Sequence, residues 1–323
     1  MTEPQRKFRF GVLVSRAGSA AEWVELARKA EGLGYATLLV PDHFGPQLAP
    51  MLACLAAANA TTTLRVGTFV LDNDFRHPAL VAKEAATLAL LTEGRFDLGI
   101  GAGWNPRDYE QTGMVFEAAP TRVGKLAEAL EILERFFSDG QVVRTTTGTD
   151  ASHVQGVTFS GRYYQVSGLD AAPKPRERPP IMIGAAGRRM LTLAARYADI
   201  LNFPDRPSVG VSTAGNPGLG LSMPEQMQIV RDVAGDRYAK LELSSLTIPR
   251  LTDDITGTME ALARQMRTTP EVIDAMPGTL VGSREQIVEK LHANRERYDI
   301  SYPVMPGAAM EAMAPIVAQL AGS

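Results

Sequence analysis

The sequence predicts a (β/α)8 TIM barrel, and two observations lead to this prediction. Short runs rich in β-branched residues alternate with longer runs in which apolar residues recur at helical spacing, and the 323 residues contain eight such pairs. Eight βα units close on themselves within about 250 residues, so this chain has room for insertions, which we expect after the fourth and sixth strands. We expect a single domain over residues 1–323. A doubly wound sheet is the alternative.

The first half of the chain supplies four of the eight units. Its first strand is predicted at FRFGVLV (8–14), and the sequence from Ser19 to Glu22 predicts a capping box that begins the helix after it. The other strands of this half are predicted at 36–44, 64–71 and 95–103. The helices that follow them are predicted at 48–62, 77–91 and 121–138.

The second half repeats the alternation. Strands are predicted at 180–184, 198–203, 241–248 and 300–305. The helices between and after them are predicted at 187–195, from 223, between 257 and 275, and at 308–320. A capping-box sequence, Ser283 to Gln286, begins one more helix.

Two stretches interrupt this pattern. Residues 139–180 contain a polar Thr/Gly loop, a short piece typical of a hairpin and a Pro-rich return. Residues 204–222 are rich in Pro, Gly and Ser. Long loops in a compact fold often cover a functional site, and a disordered excursion is the alternative for 204–222.

Composition excludes several classes of function. The net charge is −3 with a pI near 5.9, which disfavours a nucleic-acid-binding protein. Cys54 is the single cysteine, so a disulfide framework or a cysteine-rich zinc site is excluded, and the four histidines show no metal-ligand spacing. No apolar stretch approaches the roughly 20 residues of a membrane span, and the N-terminus does not resemble a signal peptide. We therefore expect a cytoplasmic protein without a metal.

In a barrel of this kind the active site lies at the C-terminal ends of the strands. Asp42 and His43 follow the second strand, and a carboxylate beside an imidazole suits general acid–base chemistry because it can fix the tautomer. From this dipeptide alone, a capping role for Asp42 and a buried structural role for His43 are the favoured alternative.

The ends of the third and fourth strands carry further candidates. Asp72 begins a dense polar segment that ends at His77-Pro78, which is also typical of an ordinary helix start. Gly101 and Gly103 allow the backbone to approach a flat ligand, and Trp104 can form the wall of a pocket. Packing of Trp104 in the core is the alternative.

After the fifth strand, small residues open a helix. In such a turn successive N–H groups converge near a helix N-terminus, and an arginine adds a partner for an anion. The segment therefore predicts a phosphate cradle, although it matches neither a Walker A sequence nor GxGxxG. Its residues are Gly184, Ala185, Ala186, Gly187 and Arg188.

Together these segments resemble the bacterial luciferase-like superfamily of flavin and deazaflavin oxidoreductases. The resemblance covers most of residues 8–203 and is most specific over 64–113, where the order, spacing and type of residues match. The C-terminal third matches only in outline. Within the superfamily the chain looks most like the actinobacterial branch that uses coenzyme F420, an 8-hydroxy-5-deazaflavin.

The resemblance implies where the coenzyme ring is held. In the family a bulge that ends the third strand carries a non-proline cis peptide behind the ring, and the matching residues here are Phe69 and Val70, within Gly67-Thr-Phe-Val70. The flanking Thr68 and Asp72, together with Trp104, complete the predicted ring site.

The resemblance also implies roles for the other candidates. Asp42 matches a family cofactor contact, His43 matches a proton-transfer residue, and the turn from Gly184 to Arg188 matches the phosphate site. With this context we favour functional roles for Asp42 and His43. We expect His43 to relay a proton while Asp42 orients it or binds the ring edge.

One departure concerns catalysis. Some deazaflavin dehydrogenases of the family have a catalytic glutamate just after the fourth strand, where this chain has Trp104, with Asp108 and Glu110 nearby. A sugar-phosphate dehydrogenase mechanism that needs that glutamate is therefore in doubt. Pro-Asp before the histidine, in place of the Glu of many flavin-using relatives, favours F420 over FMN.

The resulting hypothesis is hydride transfer between F420 and an unidentified small organic substrate. An FMN-dependent monooxygenase that activates dioxygen, a non-catalytic flavin-binding protein and a cofactor-free isomerase are the alternatives. The Ala-rich helix at 48–62 also suits a homodimer interface, although packing within one chain explains it equally well.

Overall fold

The computed structural model describes residues 6–138, 156–204 and 220–323. Parallel strands within these ranges form one closed sheet, in the order β3 (65–68), β2 (37–40), β1 (11–13), β13 (300–306), β10 (242–246), β9 (200–203), β8 (181–184), β5 (96–101) and β4 (71–72). A further pairing between β3 and β5 closes the barrel. Because β3 and β4 are two parts of one interrupted barrel strand, the nine strands of this sheet make up an eight-stranded barrel. The predicted (β/α)8 barrel is therefore confirmed.

Thirteen strands are found in the described part of the chain. They are β1 Gly11–Leu13, β2 Thr37–Val40, β3 Arg65–Thr68, β4 Leu71–Asp72, β5 Phe96–Gly101, β6 Val157–Ser160, β7 Gln165–Leu169, β8 Ile181–Gly184, β9 Ile200–Phe203, β10 Glu242–Leu246, β11 Ile248–Leu251, β12 Thr279–Gly282 and β13 Ile300–Pro306.

Eleven α-helices accompany them over the same residues. They are α1 Ala20–Gly32, α2 Pro50–Asn59, α3 Pro78–Leu91, α4 Pro106–Thr112, α5 Ala119–Phe137, α6 Arg188–Tyr197, α7 Met223–Ala234, α8 Ile255–Met266, α9 Pro270–Asp274, α10 Arg284–Tyr298 and α11 Met310–Leu320. None of these helices is both long and apolar enough to cross a bilayer.

The core has two main parts. Inward-facing side chains fill the barrel interior, among them Leu39, Met182 and Tyr302. Phe69, Val70 and Leu246 are partly buried against this cluster. A larger cluster lies between the barrel strands and the helices, because alternate side chains of a strand point to opposite faces. The filled interior therefore forms the floor beneath anything bound at the barrel mouth.

Capping boxes were predicted at the N-termini of two helices, α1 and α10. Ser283 and Gln286 form a reciprocal capping box at α10, as predicted. At α1 the hydroxyl of Ser19 accepts from the N–H of Glu22, but the Glu22 carboxylate accepts from the N–H of Gly18 instead of Ser19. The predicted box at Ser19 is therefore wrong in its second half.

Two further differences and one confirmed prediction concern the irregular regions. The strand predicted at 241–248 ends at Leu246, and β11 pairs with β12 in a separate small sheet. Helix α4 was not predicted, although Asn105 caps it through the N–H of Arg107 and Pro106 follows at the first helical position. The predicted hairpin is the antiparallel pair β6–β7. The Thr/Gly loop and most of the suggested lid lie outside the described residues.

Candidate active site

A cavity of about 320 Å³ opens at the C-terminal ends of the barrel strands, where the sequence places the site. The loops after β2 and β5, the break between β3 and β4 and the ends of β8, β9 and β10 all contribute to it. The predicted residues that line it are Asp42, His43, Phe69, Val70, Asp72, Trp104, Gly184 and Ala186. Thr68, Ala185, Gly187 and Arg188 were also predicted, but they do not line this cavity.

The third barrel strand, which consists of β3 and β4, is interrupted by a bulge beside the cavity. Gly67 pairs with Asp97 below the interruption, and Leu71 pairs with Ile100 above it, so residues 68–70 face only residues 98 and 99. The peptide between Phe69 and Val70 is cis, as the resemblance implies. The extra residue therefore places Phe69 and Val70 on the floor of the cavity.

Two glycines of β5 make room for this bulge. A Cβ at Gly99 would lie 1.9 Å from the carbonyl oxygen of Thr68, and one at Gly101 would lie 2.8 Å from Cγ2 of Val70. The Thr68 hydroxyl donates to the Gly99 carbonyl at 2.7 Å and accepts from the Gly99 N–H at 2.9 Å. Thr68 is fully buried and supports the bulge from behind.

His43 is held by a carboxylate from helix α4. Its Nδ1 lies 2.6 Å from Oδ2 of Asp108, a buried residue of α4. The N–H of Phe44 and the side-chain amide of Asn105 also donate to the Asp108 carboxylate. Because a carboxylate only accepts, this contact places a proton on Nδ1 and leaves Nε2 for other partners.

Asp42, although adjacent in sequence, does not orient His43. Its carboxylate receives two hydrogen bonds from the Arg76 guanidinium, at 2.6 and 3.1 Å, and one from the N–H of Asp72. The expected pairing of Asp42 with His43 is therefore wrong, while a contact of Asp42 with a cofactor remains a prediction.

Asp72 belongs to a buried polar cluster at the cavity wall. The Tyr109 hydroxyl lies 2.9 Å from Oδ2 of Asp72 and 3.1 Å from Oδ2 of Asp74. Burial raises the pKa of Asp72 to about 6, although hydrogen bonds from the Asp74 N–H and Tyr109 oppose the rise. Asp74 and Asp42 add to it by like-charge repulsion.

The loop after β5 fits closely against this cluster. Gly103 has φ +72, and a Cβ there would lie 2.2 Å from the Tyr109 hydroxyl and 2.3 Å from Oδ2 of Asp72. Arg122 donates to the carbonyls of Ala102 and Gly103 and so fixes the loop. At its end Trp104 meets the His43 ring edge-to-face, with ring centroids 5.5 Å apart.

The small-residue turn after β8 leads directly into α6. Gly184 lines the cavity, and nothing lies within 4 Å of the position that a Cβ would occupy there. Ala185 is buried, and its N–H donates to the Asn202 carbonyl, so this N–H is not free for a phosphate. Gly187 and Arg188 begin α6, whose N-terminus has no side-chain cap, which leaves its first N–H groups for an anion.

A family model described as luciferase-like monooxygenase matches residues 7–206, which include every predicted site residue. The chain belongs to the luciferase-like monooxygenase family. An F420-dependent glucose-6-phosphate dehydrogenase from Microbacterium testaceum (strain StLB037) is 29% identical over 188 residues, which are 55% of this chain and 51% of that protein. The 4-hydroxyprotoasukamycin monooxygenase of Streptomyces nodosus subsp. asukaensis is 35% identical over 153 residues, which are 46% of this chain and 40% of that protein.

These matches span about half the length of the curated luciferase-like relatives, or less. A solved structure covers the whole fold. An F420-dependent secondary alcohol dehydrogenase, in complex with an F420–acetone adduct, superposes with a TM-score of 0.72 over 98% of this chain and 99% of that chain, at 19% identity. This superposition shows that the two chains share the barrel fold.

Sequence reasoning missed several side chains that shape this luciferase-like site. Asp108 was noted only as a nearby acid, yet Asn105-Pro106 signals a helix start, which places Asp108 in the first turn. The inward-facing residues Asn202 and Leu246 come from β9 and β10. Over the described ranges, no three His, Cys, Asp or Glu side chains are grouped so as to hold a metal ion.

Proposed function

We propose that this protein is an oxidoreductase that transfers a hydride between coenzyme F420 and a small organic substrate. The observation that carries the proposal is one cavity that joins an apolar floor, Phe69 and Val70, to an imidazole held by a buried carboxylate, His43 and Asp108. A flat redox ring needs the first feature, and proton transfer beside it needs the second. The F420-dependent dehydrogenase among the relatives supports the choice of coenzyme.

The residues present fit such a coenzyme. Leu13 and Leu246 join the bulge in an apolar floor, and the open space at Gly184 lets a flat ligand approach the backbone. The uncapped N-terminus of α6, with the exposed Arg188 as its first residue, suits the anionic tail. When bound, F420 supplies two-electron hydride chemistry.

His43 is the residue that transfers a proton to or from the substrate. With Nδ1 facing Asp108, Nε2 is the atom that accepts a proton from a substrate oxygen, or returns one in the reverse direction. The Asp108 carboxylate stabilises the imidazolium that forms and keeps the ring in one orientation. Trp104 contacts the His43 ring edge-to-face at the rim of the cavity.

A titration of the purified protein with F420 and, separately, with FMN tests the proposal. We expect micromolar binding of F420, followed by turnover of hydride between F420 and a member of a panel of alcohols and carbonyl compounds. The monooxygenase relative favours the second candidate, an FMN-dependent monooxygenase, which predicts tighter binding of FMN and consumption of dioxygen. Binding of either ring without any turnover indicates a non-catalytic flavin-binding protein.

A further inference from the structure

A run of polar groups leads from the cavity toward Lys125, with hydrogen bonds as far as Asp74 and an ion pair at its outer end. Asp72 lines the cavity, and the Tyr109 hydroxyl lies between its carboxylate and that of Asp74, at 2.9 and 3.1 Å. Oδ1 of Asp74 lies 3.7 Å from Nζ of Lys125, whose side chain is 26% exposed and is ion-paired with Glu117. The run therefore begins at the site of chemistry and ends at a group that water reaches.

The chemistry of these groups requires a shared proton. A tyrosine hydroxyl has one proton to donate, and two ionised carboxylates can only accept. The hydroxyl can satisfy both neighbours only if one carboxyl group is protonated and donates to the phenol oxygen. Asp72, Asp74 and Tyr109 are all largely buried, so water cannot take over this role at low cost.

We propose that Asp72, Tyr109 and Asp74 form a proton relay between the active-site cavity and solvent. The inference rests on the proposed hydride transfer, because each turnover then also moves a proton at the substrate oxygen. His43 holds one proton at a time and must exchange it before the next turnover. The relay gives that proton a path when bound molecules close the cavity mouth.

The step balances in protons. When Asp72 takes a proton from the cavity, Tyr109 receives the proton of Asp72 and passes its own hydroxyl proton to Asp74. Asp74 releases one proton to solvent beside Lys125, so one proton leaves for each that enters. Reduction of a substrate uses the same steps in reverse. The electrons move only with the hydride between substrate and F420.

Burial, together with the charges around them, sets the pKa values of the two relay carboxyl groups. Asp42, itself paired with Arg76, faces Asp72, while Glu117, Lys125 and Arg122 face Asp74. Burial raises the pKa of Asp72 to about 6 and raises that of Asp74 above its ordinary value, against the opposing effects of Lys125 and Arg122. Asp72 therefore exchanges protons near pH 6, and Asp74 takes up a proton more readily than an exposed aspartate does.

Two variants interrupt the run without filling or emptying the cavity. Tyr109→Phe removes the hydroxyl and keeps the buried ring, and Asp74→Asn changes a group that does not line the cavity. Tyr35→Phe is the matched control, because Tyr35 is also buried and its hydroxyl donates to the Met310 carbonyl, outside the run and the cavity. A merely structural role for Tyr109 predicts changed stability but no change in proton exchange.

The kinetic experiment measures kcat with F420 at several concentrations of imidazole buffer. We expect kcat of Tyr109→Phe and Asp74→Asn to fall by about tenfold to a hundredfold, with F420 affinity retained and partial recovery at high buffer concentration. The control should match the wild type. Unchanged kcat in both variants, or a loss that buffer does not relieve, would overturn the relay.

A second measurement uses the cofactor-free protein and so separates the relay from the proposed function. Infrared titration of the carboxyl C=O band should show a buried group that titrates near pH 6 and is absent from Asp72→Asn. In Tyr109→Phe the band should titrate at higher pH. The Tyr109 hydroxyl stabilises the ionised form of Asp72 in the wild type, so its removal raises the pKa of Asp72. Absence of F420 binding would contradict the proposed function alone, whereas absence of this band would contradict the relay.

Discussion

Nδ1 of His43 lies 2.6 Å from Oδ2 of Asp108, although the two residues are 65 positions apart in the chain. The contact joins the loop after β2 to the first turn of α4, and Asn105 and the N–H of Phe44 hold the carboxylate in place. A buried carboxylate at one ring nitrogen fixes the tautomer of the other. His43 therefore meets the cavity with Nε2 prepared to accept a proton.

The first prediction concerns Asp108. Asp108→Asn keeps the size of the side chain but removes the charge and lets an amide N–H face His43, which favours the tautomer with a proton on Nε2. We expect kcat to fall on the order of a hundredfold or more while F420 affinity is retained. Asp253→Asn, at an exposed position, is the control. Equal kcat in the two variants would remove Asp108 from the mechanism.

The second prediction concerns His43 itself. His43→Asn retains a donor for the Asp108 carboxylate but has no Nε2, and His43→Ala removes both. We expect both variants to lose about 10²–10⁴-fold in kcat and to bind F420 nearly as well as the wild type. His292→Ala, on α10 outside the cavity, is the control. Normal turnover by either His43 variant would exclude the imidazole as the proton-transfer group.

The third prediction concerns Gly103. Gly103→Ala places a methyl group 2.2 Å from the Tyr109 hydroxyl at φ +72, so we expect a loss of roughly 2–5 kcal/mol in the free energy of unfolding. Gly113→Ala is a matched control, since Gly113 has φ +71 and open space around it, and it should lose only about 1–2 kcal/mol. Denaturant titration measures both, and equal losses would show that the loop does not fit closely against Tyr109.

The fourth prediction concerns Asp72 and pH. Its pKa is raised in the fold from an ordinary 3.8 to about 6, so the stability it contributes is present below pH 3.8 and is lost as the pH rises through 6. Between about pH 4.5 and about pH 7.5 the wild type should lose roughly 2 kcal/mol more than Asp72→Asn. Denaturant titrations at both pH values check this, and parallel pH curves would contradict it.

Much of the architecture could be predicted from the sequence. The strand–helix alternation predicts the barrel, and the sequence from Ser283 to Gln286 predicts the start of a helix. Both predictions succeed because they depend on local sequence patterns. The resemblance correctly indicated the bulge at Phe69 and Val70. The place of Asp42 and His43 at the cavity also agrees with the structure, because it follows from the ends of the strands.

The partners of these side chains could not be predicted in the same way. Asp42 was expected to orient His43 or to bind the ring edge, but Arg76 binds Asp42 and Asp108 holds His43. Such pairings depend on how the loops that follow different barrel strands contact each other. No local sequence pattern encodes these contacts. Thr68 was expected at the cofactor, yet its hydroxyl bonds only to Gly99 within the described chain. The homodimer and the cytoplasmic location remain predictions.

The most direct test of the central claim is an F420 titration of the wild type beside one cavity-filling variant. Gly184→Phe places a ring into the open space of the cavity, and Gly32→Phe adds the same ring at the end of α1 with equally free surroundings. We predict micromolar F420 binding by the wild type and Gly32→Phe, and its loss in Gly184→Phe. Equal binding by all three proteins, or none by the wild type, would contradict the proposal that this cavity is the F420 site.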